Sequence, residues 1–350
     1  MKTLVRAEAY LPRRSHDGRR VVSFDEDEFT MAVTVLERLL GSLPAPSGPV
    51  DLALVGASSA VPDELWSVWV GRPLRVQRGG SGAASLKKAL ESAAADTGPN
   101  PAFVVASEVG EPSGPGHSIG DGAVLFLLAP AGPAPEVPVL PWNELDPEDL
   151  RGPALDAAFA LSRRAHGQDP AIWAGDWTLD PGAGAAVDAA LLARRNALGV
   201  GAVSEGAYVP RSRYLDSLTS RWRFVADRCA ACGATTFPLR GSCRGCGARS
   251  GVSPVHLPLD GGTVVAATEI GRGGQPTEFD FLVDSAGPYS VVLVDLAPGA
   301  RATFQASESP TGGWKVGDRV ATRLRRLYPM EGEWRYGRKA LPLPAEGASR

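Results

Sequence analysis

Cysteine is confined to one short window of this chain: residues 1–228 and 247–350 contain none, and all four fall between Cys229 and Cys246. That confinement excludes scattered disulfide partners and any thiol nucleophile outside the window, and it fits a reducing compartment. Histidine is equally scarce. His16, His117, His166 and His256 lie far apart, without ligand spacing and without a nucleophile or carboxylate partner that would make any of them a base. No apolar run approaches the roughly 18 to 20 residues that cross a bilayer, and the opening MKTLVRAEAYLPRR lacks a signal peptide's apolar stretch, so a cytoplasmic protein is expected. Net charge is only −3 over 350 residues, which excludes a molecule that grips nucleic acid or anionic membrane by its overall charge.

What is present divides into modules. Residues 1–129 alternate strand and helix patterns, an α/β signal. TLVRAEAYL reads as a first strand. DEDEFTMAVTVLERLLGSL reads as a helix whose acidic start suits the positive end of the helix dipole and whose apolar face is Phe29, Ala32, Val33, Leu36, Leu39, Leu40 and Leu43. VDLALVGAS and GDGAVLFLLA read as buried strands, and GSGAASLKKALESAAADT as a small-residue helix between the strands PLRVQ and AFVVASEV. Asp25, Glu26 and Asp27 are read as a helix cap ahead of a catalytic acidic cluster. Gly120 and Gly122 are read as a tight turn into a strand, since no Gly-Lys-Ser/Thr follows. Residues 130–153 are proline-rich, a linker or surface excursion, and 154–205 return to helical patterns that end in glycine. Residues 206–252 hold a helix and the cysteines, and 253–345 read as strands separated by glycine turns, a small β-barrel.

The cysteines form two C-x-x-C pairs, Cys229/Cys232 and Cys243/Cys246, a spacing that presents four thiolates to one tetrahedral ion. Gly233 and Gly247 follow the pairs, where a knuckle turns tightly. Four soft sulfurs suit zinc, with iron in a rubredoxin-like site as the alternative. A site filled by four cysteines leaves no position open to substrate, so such a metal holds the fold. Around it, Arg211, Arg213, Arg221, Arg223, Arg228, Arg240, Arg244 and Arg249 face only Asp216 and Asp227. That excess suits nucleic acid, the phosphates of coenzyme A or an acidic protein, or is a solvated surface.

YVPRSRYLDSLTSRWRFVADRCAACGATTFPLRGSCRGCG, GPYSVVLVDLAPGARATFQ, WKVGDRVATRLRRL and WRYGRKALP, over residues 206–343, resemble the DUF35 family, a rubredoxin-like zinc ribbon joined to an OB-fold. AYLPR, FDEDEFTMAV and IGDGAVLFLL resemble the amino-terminal half of hydroxymethylglutaryl-CoA synthase and ketoacyl synthase III proteins of the thiolase fold. Together they imply a fusion: a degenerate, truncated thiolase-like α/β domain followed by a zinc ribbon and an OB-fold barrel. The family's nucleophilic cysteine sits in a segment of the form C-x-x-G-x-x-x-L, and GGSGAASL places Gly79 there, with Ser81 nearby and no base designated to activate it.

The resemblance therefore implies a non-catalytic accessory subunit of an acyl-CoA carbon–carbon bond-forming or acyltransferase complex. Its thiolase-like or ketosynthase-like partner would supply the cysteine in a hetero-oligomer, and a coenzyme A thioester would be the substrate. Tyr289, Arg323, Arg325, Arg326 and Tyr336 are the expected partner or phosphate contacts in the barrel. Three other readings stay open: an acyltransferase acting alone through Ser81, a nucleic-acid binder stacking bases on Trp222, Phe224, Trp334 and Tyr336, or a scaffold that never contacts coenzyme A.

Overall fold

The computed structural model describes residues 1–10, 14–16, 19–21, 25–40, 49–56, 62–70, 74–80, 82–108, 122–130, 158, 161, 210–307, 313–330 and 333–343. They belong to two compact units, Met1–Asp188 and Ala189–Ser349. The proline-rich stretch after Pro130 and all but Ala158 and Leu161 of the helical patterns in 154–205 lie outside the described residues, as does the expected boundary at 205/206.

The first unit is built on a five-stranded mixed sheet. Its strands are β1 (Lys2–Tyr10), β4 (Val50–Val55), β5 (Leu74–Arg78), β6 (Ala102–Glu108) and β7 (Gly122–Pro130), with a small hairpin of β2 (Arg14–His16) and β3 (Arg19–Val21) set apart. The order is β1-β7-β6-β4-β5; β4 runs parallel to both β5 and β6, and β7 runs antiparallel to both β6 and β1. Parallel neighbours need crossovers, which α2 (Asp63–Val70) and α3 (Ala83–Ala95) supply. The small residues of α3 let it lie close to the sheet: Ala83, Leu86 and Leu90 share a core with Val104, Ala106, Val124, Phe126 and Leu128. Ala158 and Leu161, both helical, join that core. The alternate residues Phe103, Val105, Leu125 and Leu127 are equally buried, so the central strands are covered on both faces.

Helix α1 (Glu28–Leu40) contributes nothing to the α3 core and packs instead against β1, β6, β7 and α2, with Phe29 edge-on to Trp66 at 4.6 Å. A one-sided apolar stripe was expected, yet Met31 and Val35 are buried along with Phe29, Ala32, Val33 and Leu36. The two threonines on the remaining positions stay satisfied inside the helix, since the Thr34 hydroxyl donates to the Thr30 carbonyl at 2.9 Å and the Thr30 hydroxyl to the Asp27 carbonyl at 3.0 Å. The acidic start is a cap, as expected. The Thr30 backbone N–H donates to the Asp27 carboxylate and the Asp27 N–H donates to the Thr30 hydroxyl, both at 2.9 Å, while Glu26 accepts from the buried Tyr10 hydroxyl.

The second unit opens with α4 (Arg211–Arg223), which ends at Phe224 in the left-handed region (φ 50°), an unusual conformation for a residue with a bulky side chain. The Phe224 ring lies fully buried between Phe237 at 5.5 Å and Phe304 at 5.7 Å, and this burial offsets the strain. From Phe224 the chain enters a three-stranded ribbon of β8 (Val225–Cys229), β9 (Thr235–Thr236) and β10 (Val252–His256), ordered β10-β8-β9.

Beyond the ribbon lie β11 (Asp260–Ile270), α5 (Asp280–Ala286), β12 (Tyr289–Ala297), β13 (Ala300–Gln305), β14 (Arg319–Met330) and β15 (Glu333–Pro342). Their order β13-β12-β11-β14-β15 is antiparallel throughout, and a parallel bridge between Ala306 and Ala340 brings the two outer strands together. The five strands thus form a nearly closed antiparallel β-barrel.

Helix α4 is stitched to β15 along one seam. The Tyr336 N–H donates to the Tyr214 hydroxyl at 2.9 Å, the Trp222 indole N–H donates to the Tyr336 carbonyl at 3.1 Å, and Arg338 donates to the Trp222 carbonyl. Gly337 leaves space that Leu327 fills at the bulge between Arg326 and Tyr328; a Cβ there would stand 2.5 Å from Leu327. Ribbon and barrel share one core, in which Phe224, Ala226 and Phe237 join Val264, Val292, Val294, Phe304, Trp314 and Val320.

Candidate metal centre and barrel surface

The sequences Cys229-Ala-Ala-Cys232-Gly233-Ala234 and Cys243-Arg-Gly-Cys246-Gly247-Ala248 fold into two copies of one knuckle. In each, the first cysteine's N–H donates to the alanine carbonyl five residues on (3.0 and 2.8 Å), and its own carbonyl accepts from the glycine N–H four residues on (2.9 and 3.0 Å). Both glycines adopt positive φ, 72° and 76°, which accounts for their identity. Cys229 is the last residue of β8, and the second knuckle hangs from β9 through the Arg244 N–H, which donates to the Thr236 hydroxyl at 3.1 Å. The buried Asp227 carboxylate accepts the N–H groups of Arg240 at 2.5 Å and Gly241 at 2.7 Å and so positions the loop between the knuckles.

All four sulfurs lie within 4.8 Å of one another, with Cys229–Cys246 at 3.7 Å and Cys232–Cys243 at 3.4 Å. Metal–sulfur bonds of about 2.3 Å in a tetrahedron imply sulfur–sulfur edges of about 3.8 Å, so the cluster closes on such an ion with shifts of about 1 Å or less. The backbone N–H of Cys246, helped by that of Gly245, pulls the Cys243 thiol down to about 6 and prepares it to bind as thiolate. Among the described residues this is the one metal-type cluster of histidine, cysteine or carboxylate ligands.

The barrel residues singled out from the sequence separate on burial. Arg325 and Tyr336 are 1% and 5% exposed, inside the packing, which corrects their expected role as surface contacts. For Tyr336 the reason is α4, whose side chains bind its backbone while Trp222 stands edge-on to its ring at 6.4 Å. Arg323 is held bidentately by Asp260, at 2.6 and 3.3 Å. Arg326 and Tyr289 keep part of their surface in solvent. The Arg326 guanidinium stacks on Trp334 at 4.6 Å, and Tyr289 lies 5.9 Å from Phe279, its phenol pushed up by burial and by Glu278. Trp222 and Phe224 are buried as well, so three of the four rings expected to stack bases face the interior. Sequence reading missed the Tyr214–Trp222–Tyr336 seam because its partners stand 114 and 122 residues apart.

In the α/β unit, Gly79 follows β5 at the approach to α3. Its N–H donates to the Leu54 carbonyl at 2.7 Å, and the Gly56 N–H donates to the Gly80 carbonyl at 3.1 Å, fixing the turn against the end of β4. A Cβ on Gly79 would meet Val55 at 3.4 Å, the Leu54 carbonyl at 3.5 Å and Ser85 at 3.7 Å, all ordinary contacts. Ser81 lies outside the described residues. An open cleft of about 370 Å³ runs beside α3 and the β5 edge, lined by Asp51, Arg75, Gln77, Ser92, Asp96 and Phe103 among others. Among the described residues no helix is long and apolar enough to cross a membrane.

No protein-family model matches the chain, and no curated protein does. Solved structures give partial likenesses. An Ltp2–ChsH2(DUF35) aldolase is 21% identical over 39% of this chain and 98% of its own, with a TM-score of 0.29. PksG, a hydroxymethylglutaryl-CoA synthase from Bacillus subtilis, is 14% identical over 37% of this chain and 42% of its own, TM-score 0.31. The β-ketoacyl-[acyl carrier protein] synthase III of Thermus thermophilus is 18% identical over 38% and 52%, TM-score 0.31. The chain thus spans about half the length of the two synthases or less. At these scores neither architecture nor chemistry is carried over from them.

Proposed function

We propose that the chain is an accessory, non-catalytic subunit of a complex that forms carbon–carbon bonds or transfers acyl groups from coenzyme A thioesters. The observation that carries this reading is residue 79. The resemblance to thiolase-fold synthases expects a nucleophilic cysteine there; the site has ordinary room for a side chain and holds glycine, while every cysteine of the chain belongs to the ribbon cluster. Thioester exchange needs a nucleophile, and a metal-bound thiolate is not free to take an acyl group. A thiolase-like or ketosynthase-like partner therefore supplies it, in a hetero-oligomer.

The α/β unit is a truncated thiolase-like domain that docks through the thiolase-type dimer surface. The β5 edge supports this: it is one of the two outer strands of the described sheet, and its Arg75 and Arg78, charges that ordinarily deter strand pairing, are neutralised by Asp51 and Asp63. Cys229, Cys232, Cys243 and Cys246 hold zinc, which supplies a fixed cross-link between the two knuckles. Tyr289 and Arg326 are the barrel residues with surface left for the partner or for coenzyme A.

The reading is tested by co-expressing the chain with a thiolase-like protein encoded nearby, then assaying acyl transfer with and without it. Association and a change in the partner's activity are expected. Absence of both, or turnover of acyl-CoA by this chain alone, overturns the proposal.

A further inference from the structure

Arginine is distributed in two ways over the described surface. Four exposed arginines outside the ribbon have carboxylates: Arg75 pairs with Asp51, Arg78 with Asp63, Arg272 with Asp284 and Arg301 with Asp295. Arg213, Arg221, Arg228, Arg240, Arg244 and Arg249, on α4 and the ribbon, are exposed and make no ion pair among the described residues. Segment 211–259 carries eight arginines and two aspartates within a chain of net charge −3. Of those two acids, Asp227 is buried on the backbone of Arg240 and Gly241, so the solvent-facing ribbon from 225 to 259 presents cations and no carboxylate on any side. A four-thiolate zinc centre would carry a net double negative charge and offset part of this excess; the remaining unpaired cations repel one another, a cost that a complementary partner relieves.

The structure assigns this surface to an acidic protein partner, with Leu239 as its apolar anchor. Leu239 is 44% exposed, lies next to Arg240, and has its backbone fixed by the Ser220 hydroxyl at 2.8 Å. An exposed leucine beside Arg240 on a cationic segment supplies an apolar contact point with charge next to it, as protein-binding surfaces use. Nucleic acid fits less well. All four aromatic residues of segment 211–259, Tyr214, Trp222, Phe224 and Phe237, are buried, which leaves no ring on which a base could stack. The assignment does not depend on the partner being thiolase-like.

The test places the photo-crosslinker benzoylphenylalanine at position 239 of the full chain in its native cells. Val316, 72% exposed in the turn before β14, is the control for general stickiness. Cross-linking from 239 to an acidic segment of a protein is expected, with yield falling about tenfold in the Arg240→Glu/Arg249→Glu variant and holding in the Arg240→Lys/Arg249→Lys variant. Neither position adjoins a cysteine, and unchanged zinc content verifies that both variants fold.

A cross-link to nucleic acid or lipid, a yield at 239 no higher than at 316, or a protein cross-link indifferent to charge reversal each overturn the assignment. A cross-linked acidic protein that is not thiolase-like upholds this surface and counts against the subunit reading. A thiolase-like partner that still co-purifies with the Arg→Glu variant does the reverse.

Discussion

In the α/β unit, polar groups within α1 are satisfied nearby: Thr34 bonds one turn back, and Asp27 and Thr30 cap the helix they begin. In the ribbon–barrel unit they are satisfied far along the chain. Arg323 reaches Asp260 across 63 residues, Arg338 reaches Trp222 across 116, and Tyr336 meets Tyr214 across 122. Helix α1 thus satisfies its polar groups within a turn of the chain, while the second unit depends on side-chain bonds that form only when distant segments are held together. The knuckles do part of that holding, because the ribbon strands carrying Ala226 and the ring of Phe237 share a core with the barrel.

The largest expected separation between the units comes from metal removal. Chelation, or Cys243→Ser, is expected to collapse hydrogen-exchange protection in β8–β15 and leave β4, β6 and β7 protected. Structural zinc in small domains is worth about 10–16 kcal/mol of apparent binding energy at neutral pH. Equal loss of protection in both units would erase the contrast.

Next in size is Trp222→Ala, which removes a fully buried ring and a seam hydrogen bond. It is expected to cost about 3–5 kcal/mol in chemical denaturation of the second unit and nothing in the first.

The pH limits should also divide by unit. Lys2, hydrogen-bonded to Asp96, holds that carboxyl below its usual range. Its contribution is present above the unfolded value and fades as pH falls through the lower folded one, so the first unit's melting temperature should drop only below about pH 4, less so in Asp96→Asn. In the second unit, burial pushes Tyr214, Tyr289 and Tyr328 up. The raised folded values give stability that is complete below the unfolded value and lost as pH rises, so this unit should weaken above about pH 10, less so in Tyr214→Phe.

The smallest effect is expected for Gly79→Cys. Its Cβ finds ordinary contacts, so stability should change by less than about 1 kcal/mol by denaturant titration, and the variant should gain one alkylatable thiol that zinc does not protect.

What the sequence disclosed follows the same division. Strands β4, β6 and β7 and helix α3 were legible because their periodicity is local, and the knuckles because C-x-x-C-G-A occurs twice. Helix α2 was missed: its eight residues, DELWSVWV, are too few to establish a period, although Trp66 and Trp69 are both buried. Arg325 and Tyr336 looked like surface residues because charge and a hydroxyl argue for solvent. Their burial is imposed by the rest of the second unit, which no local window contains.

The seam has one more consequence. Where strands pair, backbone atoms make the bonds, so the solvent-facing positions of the β11–β12 ladder should tolerate wide sequence drift while Val264, Val292 and Val294 fill the core. Where α4 meets β15, the bonds belong to one phenol, one indole and one guanidinium, and a change of identity at Tyr214, Trp222 or Arg338 deletes a bond outright. On its outward-facing positions the barrel is forgiving around most of its circumference, and it is exacting along the line where α4 meets β15.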